Sequence, residues 1–253
     1  LSGCHICMPS IFLPPPTMAN NVRITSIVNH ILQDKDGNLW FSTNGQGLFR
    51  YNLSKNYLEQ YEFTSAFGIV ASTMADSDNQ IWALTNQGES GVYKLNKAEN
   101  KFEPFGLLYN AGNHHSQALA MLEDSEQTLW LGTWECGLQK IDKYTRQTTT
   151  YLHPTDGKGV THIHSLMEYA PHQLLIGSDD GLLLFNTLTE EYKLFTENET
   201  VPNSLSNRFV YPIIKDREGG IWVGTNAGGI NYLTPGTNWF NTFCYTPGKT
   251  SAP

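Results

Sequence analysis

The residues best suited to chemistry in this chain are polar and aromatic side chains grouped in a few predicted turns and connections. They are Trp134, His114, His115, His162, Asp179, Asp180 and Asn226. A Trp ring suits the apolar face of a sugar, while Asn, Asp and His side chains hydrogen-bond hydroxyl groups. We therefore predict that these residues contact a small polar ligand, with an oligosaccharide as the favoured class.

The histidines also suggest an enzymatic alternative. His162 and His164 are two residues apart, so in a strand they lie on one face, and with His114 or His115 they could bind a metal. A lyase or hydrolase built on this His and Asp cluster is one alternative, and a protein-docking scaffold is another. The chain has no HExxH motif, and no nucleophile–base pair is visible in it. The sequence therefore predicts a binding segment without catalytic residues, metal or cofactor.

The elements that must position these residues are copies of one repeat. In the segment from Asp124 to Tyr151, a Trp follows the Asp by six residues, a Thr follows the Trp by three, and Gly-Leu comes next. Five copies keep the spacing of six up to the Trp position and the spacing of nine before the closing aromatic residue. The Trp positions are Trp40, Trp82, Trp130, Leu175 and Trp222. This recurrence predicts a repeat protein.

The period of the repeat indicates its fold. A period of about 45 residues, with short runs of β-forming residues between turn signals, is typical of four-stranded propeller blades. No window shows the apolar spacing of an amphipathic helix. We therefore predict an all-β propeller. The five four-stranded antiparallel blades are expected at 26–63, 68–106, 116–152, 160–196 and 207–243. Residues 1–25 stay unassigned, and 244–253 are interpreted as the start of a further connection.

The recurring residues themselves have structural roles. The Asp before the first turn is expected to bind backbone N–H groups two or three residues further on. The four Trp side chains are expected to be buried between neighbouring blades, with Leu175 in the equivalent place. The Gly is expected to supply a positive φ after the second strand. We therefore assign these positions to the repeat core and not to the ligand site.

The order of strands in a blade decides which turns share a face. Turns of a four-stranded meander alternate between its two ends, so the second-to-third turns emerge together with the blade-to-blade connections. Loops on a rigid scaffold commonly carry function. Trp134 has the most weight among them, because the other copies have Asn44, Asn86, Asp179 and Asn226 at its position. We expect ligand contact to centre on the loops of copies three and four.

The repeat resembles the two-component regulator propeller repeat. The segments DKDGNLWFSTNGQGLFRYN and DREGGIWVGTNAGGINYL follow its form, DxxGxLWxGTxxGLxxYD. The resemblance covers Ser26 to Phe243, although Tyr169 and Leu175 replace the Asp and Trp of the fourth copy. It implies the ligand-sensing, periplasmic region of a bacterial hybrid two-component histidine kinase, many of which sense glycan breakdown products. It also implies a seven-bladed ring, of which five blades would be a part.

Composition argues against several partners. A net charge of −8 without a basic stripe argues against nucleic acid. No apolar run of about 18 residues is present that could insert into a membrane. The four cysteines, Cys4, Cys7, Cys136 and Cys244, are scattered and imply no disulfide framework. A homodimer formed through the propeller is a further interaction that the sequence allows.

Overall fold

The computed structural model describes residues 22–61, 63, 69–85, 91–107, 117–153, 159–198, 200–201, 203–236 and 240–243. Within these ranges the regular secondary structure consists of twenty β-strands, without a helix. The prediction of an all-β fold is therefore confirmed.

Every four consecutive strands make one blade. Blade one has β1 (Val28–Gln33), β2 (Leu39–Thr43), β3 (Leu48–Asn52) and β4 (Tyr57–Tyr61). Blade two has β5 (Val70–Ala75), β6 (Ile81–Thr85), β7 (Gly91–Asn96) and β8 (Lys101–Leu107). Blade three has β9 (Ala118–Glu123), β10 (Leu129–Thr133), β11 (Leu138–Ile141) and β12 (Thr148–Tyr151). Blade four has β13 (Ile163–Ala170), β14 (Gln173–Ser178), β15 (Leu182–Asn186) and β16 (Tyr192–Phe195). Blade five has β17 (Val210–Lys215), β18 (Ile221–Thr225), β19 (Ile230–Leu233) and β20 (Phe240–Phe243).

Each blade is an antiparallel meander whose strands pair in chain order. In blade three, for example, Trp130 lies opposite Leu122 on one neighbouring strand and opposite Lys140 on the other. The first strand of each blade packs against the first and second strands of the preceding blade. Five four-stranded antiparallel blades were predicted, and the structure confirms them.

The apolar core lies between consecutive blades. Trp40, Trp82 and Trp130 are fully buried, as predicted. Trp40 meets Phe102 of blade two edge-on at a centroid separation of 6.2 Å. Leu175 is also buried, and it takes the place that the Trp has in the other blades. Because each such aromatic ring removes about 150–250 Å² from water, these contacts are the main apolar stabilisation of the stack.

The prediction that Trp222 is buried between blades is wrong. Its side chain is 37% exposed. The indole contacts Tyr232 and Phe243 of its own blade, at centroid separations of 4.6 Å and 6.0 Å. In blades one to four, the side chain at the Trp position packs against the blade that follows. In the described part of the chain, no strand follows β20, so blade five has no such neighbour. The residue is therefore in the expected place on its blade, but no other blade of the described part of the chain covers it.

The repeated Asp ties the first turn of a blade to its Trp. One carboxylate oxygen of Asp124 accepts hydrogen bonds from the backbone N–H of Glu126 (3.0 Å) and Thr128 (2.9 Å). The other accepts one from the indole N–H of Trp130 at 2.7 Å. The first backbone donor is two residues after the Asp, as predicted. The second is four residues after the Asp, one residue further along the chain than the prediction allowed. A charge-assisted bond to the indole is the unforeseen part of the motif.

Blade four shows why the Asp and the Trp are lost together. A buried indole N–H needs an acceptor, whereas a Leu side chain needs none. With Leu175 in the core, Tyr169 can replace the Asp without leaving a donor unsatisfied. The strand β13 then continues to Ala170 and closes through a short turn in which His172 has a positive φ of 62°.

Restoring only the Trp to blade four should therefore be destabilising. Leu175→Trp places an indole N–H near Tyr169, which has no carboxylate, in a site where Leu175 is only 2% exposed. Overpacking and an unsatisfied donor each cost about 1–3 kcal/mol. Urea unfolding followed by circular dichroism should show a lower midpoint than the wild type, while the control Leu175→Met stays within about 1.5 kcal/mol. A higher midpoint for Leu175→Trp would contradict this account.

The turn between the second and third strands is fixed by a Thr and a Gly. In blade three the Thr133 hydroxyl donates to the carbonyl of Gly137 at 2.8 Å and accepts from the backbone N–H of Cys136 at 2.9 Å. Gly137 has a φ of 67°, and a Cβ there would lie 2.5 Å from the carbonyl oxygen of Tyr151. The predicted positive φ is confirmed here. Trp134 is thus held at the tip of a rigid turn.

Candidate functional site

The second-to-third turn of a blade is joined to the connection that enters the same blade. The backbone N–H of Trp134 donates to the carbonyl of Gln117 at 2.9 Å, and that of Asn226 donates to the carbonyl of Phe209 at 3.0 Å. These bonds bring the turns and the starts of the first strands to one end of the blades, as the meander topology predicted. We call this end the turn face.

Trp134 reaches across the turn face to the neighbouring blade. Its carbonyl accepts a hydrogen bond from the backbone N–H of His162 at 3.1 Å. The indole stacks on the imidazole of His162 with a centroid separation of 3.8 Å and an interplanar angle of 31°. Even so, 38% of the Trp134 side chain stays exposed. One part of the ring is therefore supported by blade four, and another part is accessible to a ligand.

His162 is held in a backbone conformation that its counterparts do not share. It has a φ of 50°, in the left-handed region. The equivalent residues directly before the first strand of the other blades have no positive φ; they are Ile27, Ile69, Gln117 and Phe209. Such conformations cost about 1–3 kcal/mol and are found most often at binding sites and turns. The geometry directs this imidazole beneath Trp134.

Asp179 joins two imidazoles. One of its carboxylate oxygens is hydrogen-bonded to Nδ1 of His162, and the other lies 2.8 Å from Nε2 of His164. Burial raises the pKa of Asp179, but the hydrogen bonds from the two imidazoles outweigh burial and hold the pKa below its usual value. The carboxylate is therefore ionised at neutral pH, and it orients both rings.

Asp180 and Asn226 take different positions from Asp179. One carboxylate oxygen of Asp180 accepts from both the backbone N–H (3.0 Å) and the hydroxyl (3.1 Å) of Thr161, so it braces the connection into blade four. Asn226 is exposed at the turn of blade five. Among the described residues, its side chain has no hydrogen bond to the Trp134 and Asp179 cluster. Of the predicted site residues, Trp134, His162 and Asp179 are in direct contact.

The predicted ligand residues His114 and His115 lie outside the described residues, so their role stays a prediction. The same applies to their use as metal ligands. Within the described ranges, no group of three or more His, Cys, Asp or Glu side chains is arranged to hold a metal. At the cluster itself, Asp179 already binds one nitrogen of each imidazole, which turns both rings toward the carboxylate.

Two residues of the cluster were not among the predicted ligand residues. His164 appeared only in the metal alternative, and Tyr211 did not appear at all. The phenol ring of Tyr211 stacks on His164 at 4.3 Å with an interplanar angle of 25°, and 40% of its side chain is exposed. Pro212 was the available signal, because a Pro inside a strand commonly marks a bulge. A bulge can turn a side chain toward a site.

A depression lies at the opposite end of the blades. It has a volume of about 360 Å³ and is bounded by Lys94, Lys97, Glu103, Phe105 and Arg146. Arg146 lies over the Phe105 ring at 5.1 Å. The depression lies between blades two and three, because Arg146 belongs to blade three and the other residues belong to blade two. It is one further place at which a ligand could bind.

The stacked four-stranded meanders define the chain as a β-propeller with a rigid aromatic and polar cluster on its turn face. More particularly, two segments of the chain match a known repeat family. The model of the two component regulator propeller family matches residues 22–45 and 204–227. The resemblance inferred from the repeat motif is therefore confirmed.

Two of the relatives are signalling proteins. The chain is 26% identical to histidine kinase P4 of Formosa agariphila over 194 residues, which is 73% of this chain and 14% of the kinase. It is 25% identical to the extracellular domain of BT4673 of B. thetaiotaomicron, which is described both as a one component system and as a hybrid two component system, with a TM-score of 0.71. That match covers 84% of this chain and 28% of the solved domain. The chain thus spans a minor part of both relatives.

An enzyme shares the fold. A virginiamycin B lyase of Staphylococcus aureus matches with a TM-score of 0.67 at 17% identity, over 89% of this chain and 75% of the lyase. At this identity the likeness concerns the fold alone. The chain is therefore similar both to extracellular domains of signalling proteins and, in fold only, to a lyase.

In the described residues, no helix is long and apolar enough to cross a membrane.

Proposed function

We propose that this propeller is the extracytoplasmic ligand-sensing segment of a two-component receptor, located in the periplasm, and that it binds a carbohydrate on its turn face. The observation that carries the proposal is the contact of Trp134, His162 and Asp179. It combines an accessible aromatic face with oriented polar groups, the two features that sugar recognition needs. The similarity to a histidine kinase and to an extracellular receptor domain supports the sensing role.

The rigidity of the cluster suits a sensor better than a catalyst. Each imidazole donates one N–H to the same carboxylate, which fixes the orientation of both rings. Among the described residues of the cluster, no Ser, Cys or Thr hydroxyl or thiol hydrogen-bonds His162 or His164. A hydrolase would need such a pair, or a carboxylate pair with separate roles. We therefore assign the histidines to binding.

The test is a binding experiment on the 253-residue chain with purified di- to hexasaccharides. A bound sugar should raise the melting temperature of the wild type. Asp179→Ala should weaken binding at least about tenfold, or 1.4 kcal/mol, because both imidazoles lose the group that orients them. The matched control is Asp142→Ala, at the opposite end of blade three, where the carboxylate accepts from Tyr144 and Thr145 backbone N–H groups. It should leave the affinity unchanged.

Two results would contradict the proposal. If no sugar stabilises the wild type, or if Asp142→Ala weakens binding as much as Asp179→Ala, the site is not the turn-face cluster or the ligand is not a carbohydrate. The same incubations should be analysed for sugar fragments by chromatography. Product release that disappears in His162→Ala would establish the lyase or hydrolase alternative instead.

A further inference from the structure

The first strand of every blade contains a bulge at the turn face. In blade four Ile163 pairs with Ser178 and Ser165 with Gly177, so His164 is the extra residue. Blade five shifts register in the same place, between Val210 and Ile213. The residue that directly follows the first paired residue of the strand is, in chain order, Asn29, Ala71, Leu119, His164 and Tyr211. A bulge bends the strand and redirects a side chain, so each blade offers one such position beside the turn face.

The bulge residues of blades four and five are both aromatic rings, and they touch. The His164 ring stacks on Tyr211 at a centroid separation of 4.3 Å and lies 6.4 Å from the His162 ring. Trp134 meets the edge of His164 at 6.4 Å. Trp134 and Tyr211 therefore stand at the two ends of a short row of rings that crosses three blades, and both are more than one third exposed. Because the His164 ring lies 6.4 Å from the Trp134 ring and 4.3 Å from the Tyr211 ring, the two exposed rings are close enough for neighbouring sugars of one ligand to reach both.

The polar centre of this row determines what kind of ligand fits. An ionised carboxylate has only acceptors, so the nitrogens that face Asp179 must carry hydrogen. The other ring nitrogens, Nε2 of His162 and Nδ1 of His164, do not face Asp179 and can hydrogen-bond a hydroxyl group of a ligand. The groups that hydrogen-bond Asp179 within the described residues are these two imidazoles, and Asp180 is bonded to Thr161. In the part of the chain that the structure describes, the carboxylates of Asp179 and Asp180 are therefore not paired with an Arg or Lys side chain.

We propose that Tyr211 is a second stacking platform and that the site takes an uncharged oligosaccharide of at least two sugars. This inference rests on the proposed carbohydrate-binding function. Hydroxyl groups of such a ligand hydrogen-bond the imidazole nitrogens that do not face Asp179. One sugar ring stacks on Trp134 and the next on Tyr211. A uronate or a sulfated sugar brings anionic acceptors toward Asp179 and is rejected by like-charge repulsion.

The experiment compares Tyr211→Ala, Tyr211→Phe and the control Tyr144→Ala by calorimetric titration. The probes are neutral disaccharides, their constituent monosaccharides, and disaccharides that contain a uronate or a sulfate. Tyr144 is 82% exposed and lies at the opposite end of blade three, so its loss should not matter. Tyr211→Ala should weaken neutral disaccharide binding at least about tenfold and monosaccharide binding less than about threefold. Tyr211→Phe keeps a flat ring and should stay within about threefold of the wild type.

The outcomes separate this inference from the function on which it rests. If no sugar binds the wild type, both fail. If Trp134→Ala abolishes binding but Tyr211→Ala binds disaccharides like the wild type, the sugar site stands and the second platform is wrong. Tighter binding of the uronate or sulfated probes than of the neutral ones would overturn the assignment to uncharged ligands. Equal losses for mono- and disaccharides in Tyr211→Ala would show that Tyr211 merely supports His164.

Discussion

Trp130→Ala should lower the free energy of unfolding by about 3–5 kcal/mol, the range for removing a large buried aromatic side chain. Trp130 is 1% exposed and lies between blades three and four, where it contacts Tyr151 at 5.7 Å and Phe185 at 6.3 Å. Removing it leaves a cavity that strands on both sides cannot fill. It also leaves the carboxylate of Asp124 without its indole donor. Urea unfolding followed by far-ultraviolet circular dichroism measures this change.

Trp222→Ala is the matched control, because it deletes the same repeat residue from a face that is open. Its indole donates to Asp216 at 3.0 Å, as Trp130 does to Asp124, but 37% of the side chain is already exposed. We expect a loss of only about 1 kcal/mol in this chain. Equal losses in the two variants would mean that burial between blades is not what makes the Trp stabilising. A loss near 1 kcal/mol for Trp130→Ala would contradict the interblade core.

The structural role of the repeat could be predicted because it is local. The Asp and the Trp stand six residues apart on the two sides of one turn, so their spacing alone indicates a hairpin. The packing of a neighbouring blade against this one involves residues far apart in the sequence. The four-stranded pattern of blade five is the same as that of blade three, yet Trp222 is exposed and Trp130 is buried. A sequence pattern shows which face of a strand is apolar, but it does not show whether another sheet lies against that face.

The candidate site was predicted only in part, because bulges decide which residues meet. In blade four Ala170 lies opposite Gln173, and a regular ladder from that pair would bring His164 opposite Asp179. The register instead shifts twice, between Glu168 and Ala170 and between Ile163 and Ser165, so that Ile163 lies opposite Ser178. His162, the residue before Ile163, is therefore next to Asp179, the residue after Ser178. His164 becomes the extra residue and still reaches the same carboxylate. Residue types thus indicated the cluster, while the pairing within it and the contact with Tyr211 depended on irregularities that spacing does not reveal.

Trp134→Ala should abolish ligand-induced stabilisation while leaving the unliganded protein folded. The stacking of Trp134 on His162 is worth about 0.5–1.5 kcal/mol, which corresponds to a few degrees in melting temperature for a chain of this size. A ligand at about 100 times its dissociation constant stabilises the wild type by roughly 2.7 kcal/mol. That gain should disappear when the platform is removed. Thermal unfolding with and without the sugar measures both effects in one experiment.

Two further substitutions separate binding from folding at this position. Trp134→Asn introduces the residue that the same turn carries as Asn44 in blade one and Asn226 in blade five, so the turn should form normally while binding is lost. Trp134→Phe keeps an apolar ring and should retain part of the stabilisation. If Trp134→Ala instead unfolds well below the wild type and still binds the sugar, the indole is a packing residue. The ligand site would then have to be sought elsewhere, first at the depression between Lys94 and Arg146.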